Sequence, residues 1–400
     1  VKCKVKLTQL QKEMFDGKQG YATQKSMEIL NALGEIYGAK EMTPVTSVQV
    51  AGVSYANLGE PGLDWLAQMA EDGRVRVLTT LNPAGMDMEN WKVLGIDPEF
   101  AKNQERVIDA FAKMGIITTC TCTPYLVGNL PHFGEHIAWA ESSAVCFANS
   151  VIGAKTNREG GPSALAAALT GFTPLYGYHL EKNRQAQIAF NVKPSVKGTA
   201  QFGILGKAIG DILDSKTEWT IPYITGIPIA DTDELKAFCA SIATYGGNAL
   251  FHMKGITPNK TRIPKETITI TKKRLNKAEK ELSDEEADID FVSIGCPHAS
   301  LREIRYIAEL VDGKHVKKET WITTARPTKQ VADRMGYTNT IEAAGIKFAC
   351  DTCCVVAPIK GRFTGLCTDS AKGCYYGRGR NQFQIKHCSL EECIEEALIE

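Results

Sequence analysis

The stretch Glu319–Cys353, ETWITTARPTKQVADRMGYTNTIEAAGIKFACDTC, decides the fold. Its first run, ETWITT, is rich in β-branched and aromatic residues and reads as a strand. A polar, charged stretch of helical character follows, then Gly345 and a second apolar run, IKFAC, that ends on cysteines. Strand, helix and strand in this order imply a parallel pair joined by a crossover. The same design occurs earlier. VLTTLNP (77–83) leads through a long helix, predicted over Pro98–Met114, to FAKMGIITTCTC (111–122), so each unit has Thr-Thr-x-x-Pro after a strand and a cysteine pair at the end of the next one. A third strand, in DFVSIGCPHAS (290–300), runs straight into Gly295 and Cys296. The chain is therefore expected to be α/β, with several units of mostly parallel sheet around a cleft. Open α/β sheets place their sites outside the carboxyl ends of the strands.

Composition narrows the function. The 400 residues are 44% hydrophobic, enough for a large core, and 46 basic residues balance 46 acidic ones, so no electrostatic case exists for nucleic acid or an anionic membrane as partner. No window offers the roughly 20 apolar residues of a membrane span, and the opening stretch is polar, so a cytoplasmic location is expected. The charged run TKKRLNKAEKELSDEEADID (271–290) reads as a solvated helix or linker and marks a boundary. The expected organisation is a helical and α/β segment over 1–70, a first α/β region over 71–285 and a second over 286–400. Near the N-terminus, Thr8 and Gln11 form a capping-box pattern, followed by helical spacing of Met27, Leu30, Leu33 and Ile36.

Thirteen cysteines are too many and too scattered for a disulfide framework. Cys3, Cys146, Cys239, Cys388 and Cys393 read as small buried hydrophobes. Three strand ends deliver the others: Cys120 or Cys122, then Cys296, then Cys350, Cys353 or Cys354. Structural zinc takes four closed ligands, whereas three thiolates from remote loops suit an iron–sulfur cluster with one iron lacking a protein ligand. Such an iron can serve as a Lewis acid.

The segments TCTPYLVGNLPHFGEHIAWAESSAVCFANSVIGAKTNREGG (121–161), SIGCPHAS, DTC and CTDSAKGCYYGRG (367–379) together resemble the aconitase X family, over nearly the whole chain. The resemblance implies aconitase-like large-subunit architecture and a hydro-lyase. It also implies an iron–sulfur cluster, [4Fe-4S] or its degraded [3Fe-4S] form, on Cys122, Cys296 and Cys353. Because the sequence stops at Glu400, it is closer to the two-subunit archaeal branch acting on mevalonate 5-phosphate than to the one-chain branch acting on cis-3-hydroxy-L-proline. A small subunit is then expected to supply a catalytic serine, and the substrate is a phosphorylated hydroxy acid. A non-catalytic iron–sulfur or zinc scaffold is the alternative of another class. Glu141, Ser142 and His298 are the expected catalytic residues, Glu141 and Ser142 being polar interruptions of an apolar helix. Ser54, Asn82, Asn157, Arg158, Ser370 and Lys372 are the expected substrate-binding residues, from turns after strands and from TNREGG and TDSAKG. Cys367 and Cys374 are expected to be thiols of the substrate loop without a metal role.

Overall fold

The computed structural model describes residues 5–216 and 220–399; Cys3 lies outside them. Fourteen strands are found among these residues. They are β1 (Met42–Pro44), β2 (Ser47–Val50), β3 (Leu78–Leu81), β4 (Ala138–Trp139), β5 (Phe172–Pro174), β6 (Ile188–Val192), β7 (Pro222–Thr225), β8 (His252–Met253), β9 (Thr267–Ile270), β10 (Phe291–Ile294), β11 (Glu319–Thr324), β12 (Lys347–Cys350), β13 (Gly365–Thr368) and β14 (Gln384–His387). They form three parallel sheets, ordered β3-β2-β4, β8-β7-β6-β9 and β12-β11-β10-β13-β14, plus an antiparallel β1–β5 pair. The fold is thus α/β, as the alternation of strands and helices predicts.

Inner parallel strands such as β2 and β10 lie buried on both faces and are largely apolar, whereas the edge strands β9 and β14 alternate. In β10, Val292 and Ile294 pack among the helices on one face while Phe291 packs with Trp321 and Phe383 on the other. At about 25 cal/mol per Å² of apolar surface, each such side chain contributes about 2–3 kcal/mol on burial. The third sheet reverses its strand order between β10 and β13, the switch point at which doubly wound sheets leave a crevice. Cys296 follows β10 and Lys372 follows β13, so the topology alone places both beside that crevice. Gly295 makes the turn possible: its φ is +102°, and a Cβ there would lie 2.2 Å from the Thr323 carbonyl oxygen.

The two related units share more than sequence. The chain returns beside β3 at a bridge between Thr80 and Ile117 and at a bond from the Thr121 amide to the Leu81 carbonyl, as β12 returns beside β11. The strand expected after Gly115 shrinks to that contact, because Cys120 adopts φ +42° and turns the chain away. Asp351 does the same at φ +63°. The structural counterpart of Cys120 is therefore Asp351, and Cys122 corresponds to Cys353.

The helix of the central motif begins later than its sequence suggests. It spans Ser142–Phe147, and Glu141 is its N-cap, accepting from the Ala144 amide at 2.6 Å. The charged run forms the helix Lys272–Leu282, which buries Ala278 and Leu282. Thr8 and Gln11 close their capping box, and Pro98–Lys113 is helical with Asp97 as its cap. No helix among the described residues is long and apolar enough to cross a membrane.

His179 is 3% exposed; burial, with His136 and Arg184 nearby, holds its pKa down at about 3. A histidine whose folded pKa lies below its unfolded value stabilises the fold above about pH 6.5 and costs stability as the pH falls below it. The loss is roughly 2 kcal/mol for this ring by pH 5. NMR of ring-labelled histidine should show His179 still neutral at pH 5; a midpoint near 6.5 would contradict the burial argument.

Candidate functional site

The carboxyl ends of the first and third sheets meet around one cavity of about 220 Å³. The first sheet contributes Ala51 after β2, Asn82 after β3, and Ala140, Glu141 and Ser142 after β4. The third contributes Cys296 after β10, Cys353 after β12 and Lys372 after β13, while Cys122 comes from the loop following Ile117. A larger cavity of about 670 Å³ opens beside Thr199 and Arg302, but no cysteine lines it. Chemistry, not size, distinguishes the smaller one.

One histidine ties the three thiol-bearing loops together. The backbone amide of His298 donates to Cys122 Sγ at 3.2 Å, its Nδ1 lies 2.9 Å from Thr121 Oγ1, and its Nε2 lies 2.8 Å from the Thr352 carbonyl oxygen. A carbonyl only accepts, so Nε2 carries the proton and Nδ1 accepts from the threonine hydroxyl. Burial keeps the ring neutral, with its pKa down at about 4 despite the Thr352 bond. Lys236 holds the His298 carbonyl at 3.0 Å and pairs with Glu303. His298 thus spends both ring nitrogens on the loops and does not line the cavity.

Charge is arranged across the same void. Lys372 and Glu141 form a buried ion pair, and Glu141 also accepts from Ser143 Oγ at 2.6 Å. Burial works against the Glu141 carboxylate, but Lys372, Ser143 and the Ala144 amide together more than offset it and its pKa lies below the ordinary value. Burial raises the pKa of each lining thiol, Cys122, Cys296 and Cys353; Lys372 opposes the rise at Cys122 and Cys296. A second buried network joins the loop after β3 to the loop after β12. Arg326 Nη2 lies 2.5 Å from Asp87 Oδ1 and 2.5 Å from Asp351 Oδ2, and Asp87 accepts from the Cys350 amide at 2.8 Å. Burial pushes Asp351 up to about 6 even so.

The expected substrate-binding residues divide. Asn82 and Lys372 reach the cavity, and Asn82 Oδ1 is a buried acceptor without a partner among the described residues. Ser370 caps the helix Ala371–Tyr376 through the Gly373 amide and lines, with Cys296, a smaller neighbouring cavity. Ser54 lies buried under Gly85. Asn157 is committed to a turn, accepting from the Tyr178 amide and donating to the Tyr176 carbonyl; at Gly177, φ +56°, a Cβ would lie 2.1 Å from its Oδ1. Arg158 is exposed away from these walls. Tyr376 and Arg380 line the cavity and were not anticipated, although they lie in and just beyond the YYGRG stretch. Cys367 is not at the loop expected for it: it faces the helix Leu390–Leu398, 3.6 Å from Cys393 Sγ. Cys120 and Cys350 pack in the cores on either side.

Three thiols lining one cavity form a donor set for a soft or borderline metal. A single zinc ion needs its sulfurs at about 2.3 Å, and among the described residues no three donors stand ready to hold one ion. The thiols ring a void instead, which fits a multi-atom cluster, and Asn82 and Lys372 share that void with them.

Models of the aconitase X first, second and third domains match residues 4–182, 186–280 and 289–399. The phosphomevalonate dehydratase large subunit of Methanothermobacter thermautotrophicus is 45% identical, with 94% of each chain covered. The cis-3-hydroxy-L-proline dehydratase of Hypocrea jecorina is 32% identical, over 96% of this chain and 67% of that one. The crystal structure of Thermococcus kodakaraensis aconitase X in its holo-form superposes with a TM-score of 0.90 at 44% identity, covering 98% of this chain and all of that one.

Arg326→Met would leave Asp87 and Asp351 as buried carboxylates without their cation. The expected loss is about 3–5 kcal/mol of unfolding free energy, read from the urea midpoint of the purified protein. An unchanged midpoint would show that the network does not join the two sheets energetically.

Proposed function

The chain belongs to the aconitase X family, and from that premise we propose that it is the large subunit of a mevalonate 5-phosphate dehydratase. It removes water from (R)-mevalonate 5-phosphate to give trans-anhydromevalonate 5-phosphate. The observation that carries this reading is the gathering of Cys122, Cys296 and Cys353 around one cavity with Asn82 and Lys372 on its other walls. The higher identity to the phosphomevalonate enzyme than to the hydroxyproline enzyme favours this substrate.

Cys122, Cys296 and Cys353 would hold a [4Fe-4S] cluster. When bound, the cluster supplies a Lewis acid for the departing hydroxyl oxygen. The rest falls to side chains. Dehydration breaks a C2–H and the C3–OH bond and forms a C2=C3 double bond; the proton passes to a base and hydroxide leaves. Lys372 places a positive charge beside the thiols, where the substrate's carboxylate can be met. Asn82 Oδ1, lacking a partner, accepts a hydrogen bond from the bound substrate and fixes its orientation. Glu141 is not the base in this reading, because Lys372, Ser143 and the Ala144 amide occupy it and hold it ionised. His298 positions loops and takes no proton. The base is a serine of a small partner subunit, which completes the site.

Anaerobic reconstitution with iron and sulfide, with and without the small subunit, tests the proposal. Water loss from mevalonate 5-phosphate is expected only with both subunits, and none from cis-3-hydroxy-L-proline. Cys122→Ala, Cys296→Ala and Cys353→Ala should each lose the cluster's visible absorption and all turnover, whereas Cys120→Ala keeps both. Turnover of the proline substrate instead, or a full cluster in Cys296→Ala, would overturn the reading.

A further inference from the structure

Three ionisable side chains other than thiol and phenol line the cavity: Glu141, Lys372 and Arg380. The first two neutralise each other in their buried pair. Among the described residues Arg380 has only a neutral partner, Asn57 Oδ1 at 3.3 Å from its Nη2, on an exposed edge. The net positive charge of the cavity is therefore that of Arg380. Its neighbour Arg378 is spent elsewhere, on Asp284 at 3.0 Å and the Leu282 carbonyl at 2.8 Å. The turn that carries Arg380 is not free to wander: Asn381, itself buried, donates from Nδ2 to the Cys354 carbonyl at 2.9 Å, one residue past a cavity thiol.

We infer that Arg380 is the specificity-determining residue that receives the substrate's phosphate. The inference rests on the function proposed above and names the group that reads the end of the substrate away from the reaction. The carboxylate of a 3-hydroxy acid is attached to the carbon that loses its proton, so it must lie beside the thiols, where Lys372 is. The phosphate sits at the far end of the carbon chain and needs a second cation. A guanidinium suits it, offering two parallel N–H donors to two phosphate oxygens, and it stays charged at any working pH. The weak bond to Asn57 is readily exchanged for those stronger ones.

The test uses the anaerobically reconstituted enzyme and its Arg380→Gln and Arg380→Lys variants, with iron content as the check on folding. Equilibrium binding of inorganic phosphate is measured first. Arg380→Gln should weaken it about ten- to hundredfold, the loss of charge-assisted hydrogen bonds, with Arg380→Lys in between; equal constants in all three proteins overturn the inference. Binding of mevalonate 5-phosphate and of unphosphorylated mevalonate is then compared. The wild-type preference for the phosphorylated compound should collapse in Arg380→Gln. Equal weakening of both compounds would mean that Arg380 serves the carboxylate, which also overturns it. If the wild type binds phosphate through Arg380 yet does not dehydrate mevalonate 5-phosphate, the proposed function fails while this assignment stands.

Discussion

A single imidazole keeps three distant loops in register. His298 is fully buried, and its ring and backbone amide together reach Thr121, Cys122 and Thr352. Each of these bonds is worth only about 1 kcal/mol net, but leaving any of the buried partners unsatisfied would cost more. The ring also has to be neutral to do this, since Nδ1 must accept while Nε2 donates. Burial provides for that by depressing its pKa. Thiols that belong to two different sheets are thereby held around the same void without a covalent link between them.

Electrostatics reinforces the same junction. The Lys372–Glu141 pair and the Asp87–Arg326–Asp351 network both run between the first and third sheets. Buried pairs of this kind add little stability over apolar packing, yet they strongly penalise any arrangement that separates the partners. Their value here is geometric: the two sets of strand ends face each other in one way. The positive φ of Cys120 and Asp351 belongs to this scheme, since each turns the chain so that the thiol two residues later reaches the cavity wall. Such strained positions persist where the surroundings over-determine them.

Much of this was legible in the sequence, and for definite reasons. Apolar runs that stop abruptly at Gly295, at Thr119–Cys120 and at Cys350 are what strands buried on both faces look like, so the parallel sheets and the thiols at their ends could be read directly. Asn82 and Lys372 reach the cavity because each follows a strand by one to four residues. Other features depend on contacts between residues far apart in the chain, which no local pattern carries. Asn157 looks like a loop residue near a site, but its amide is consumed by the backbone of Tyr176 and Tyr178. His298 looks like a free imidazole two residues from a thiol, and only the packed loops reveal its two partners. Arg380 gave no signal because its meaning comes from subtraction: the other cation of the cavity is already paired. One extra residue separates Gly345 from Cys353 compared with Gly115 from Cys122, so the match of Cys122 with Cys353 rests on the backbone turns at Cys120 and Asp351 and not on sequence spacing.

The central claim is that thiols from three remote segments share one iron–sulfur centre with an iron open to substrate. Mössbauer spectroscopy of the ⁵⁷Fe-reconstituted protein, before and after adding mevalonate 5-phosphate, tests it most directly. A four-iron centre held by three thiolates predicts that one iron in four changes its spectrum on substrate addition while the other three do not. A spectrum in which every iron ignores the substrate would contradict the account.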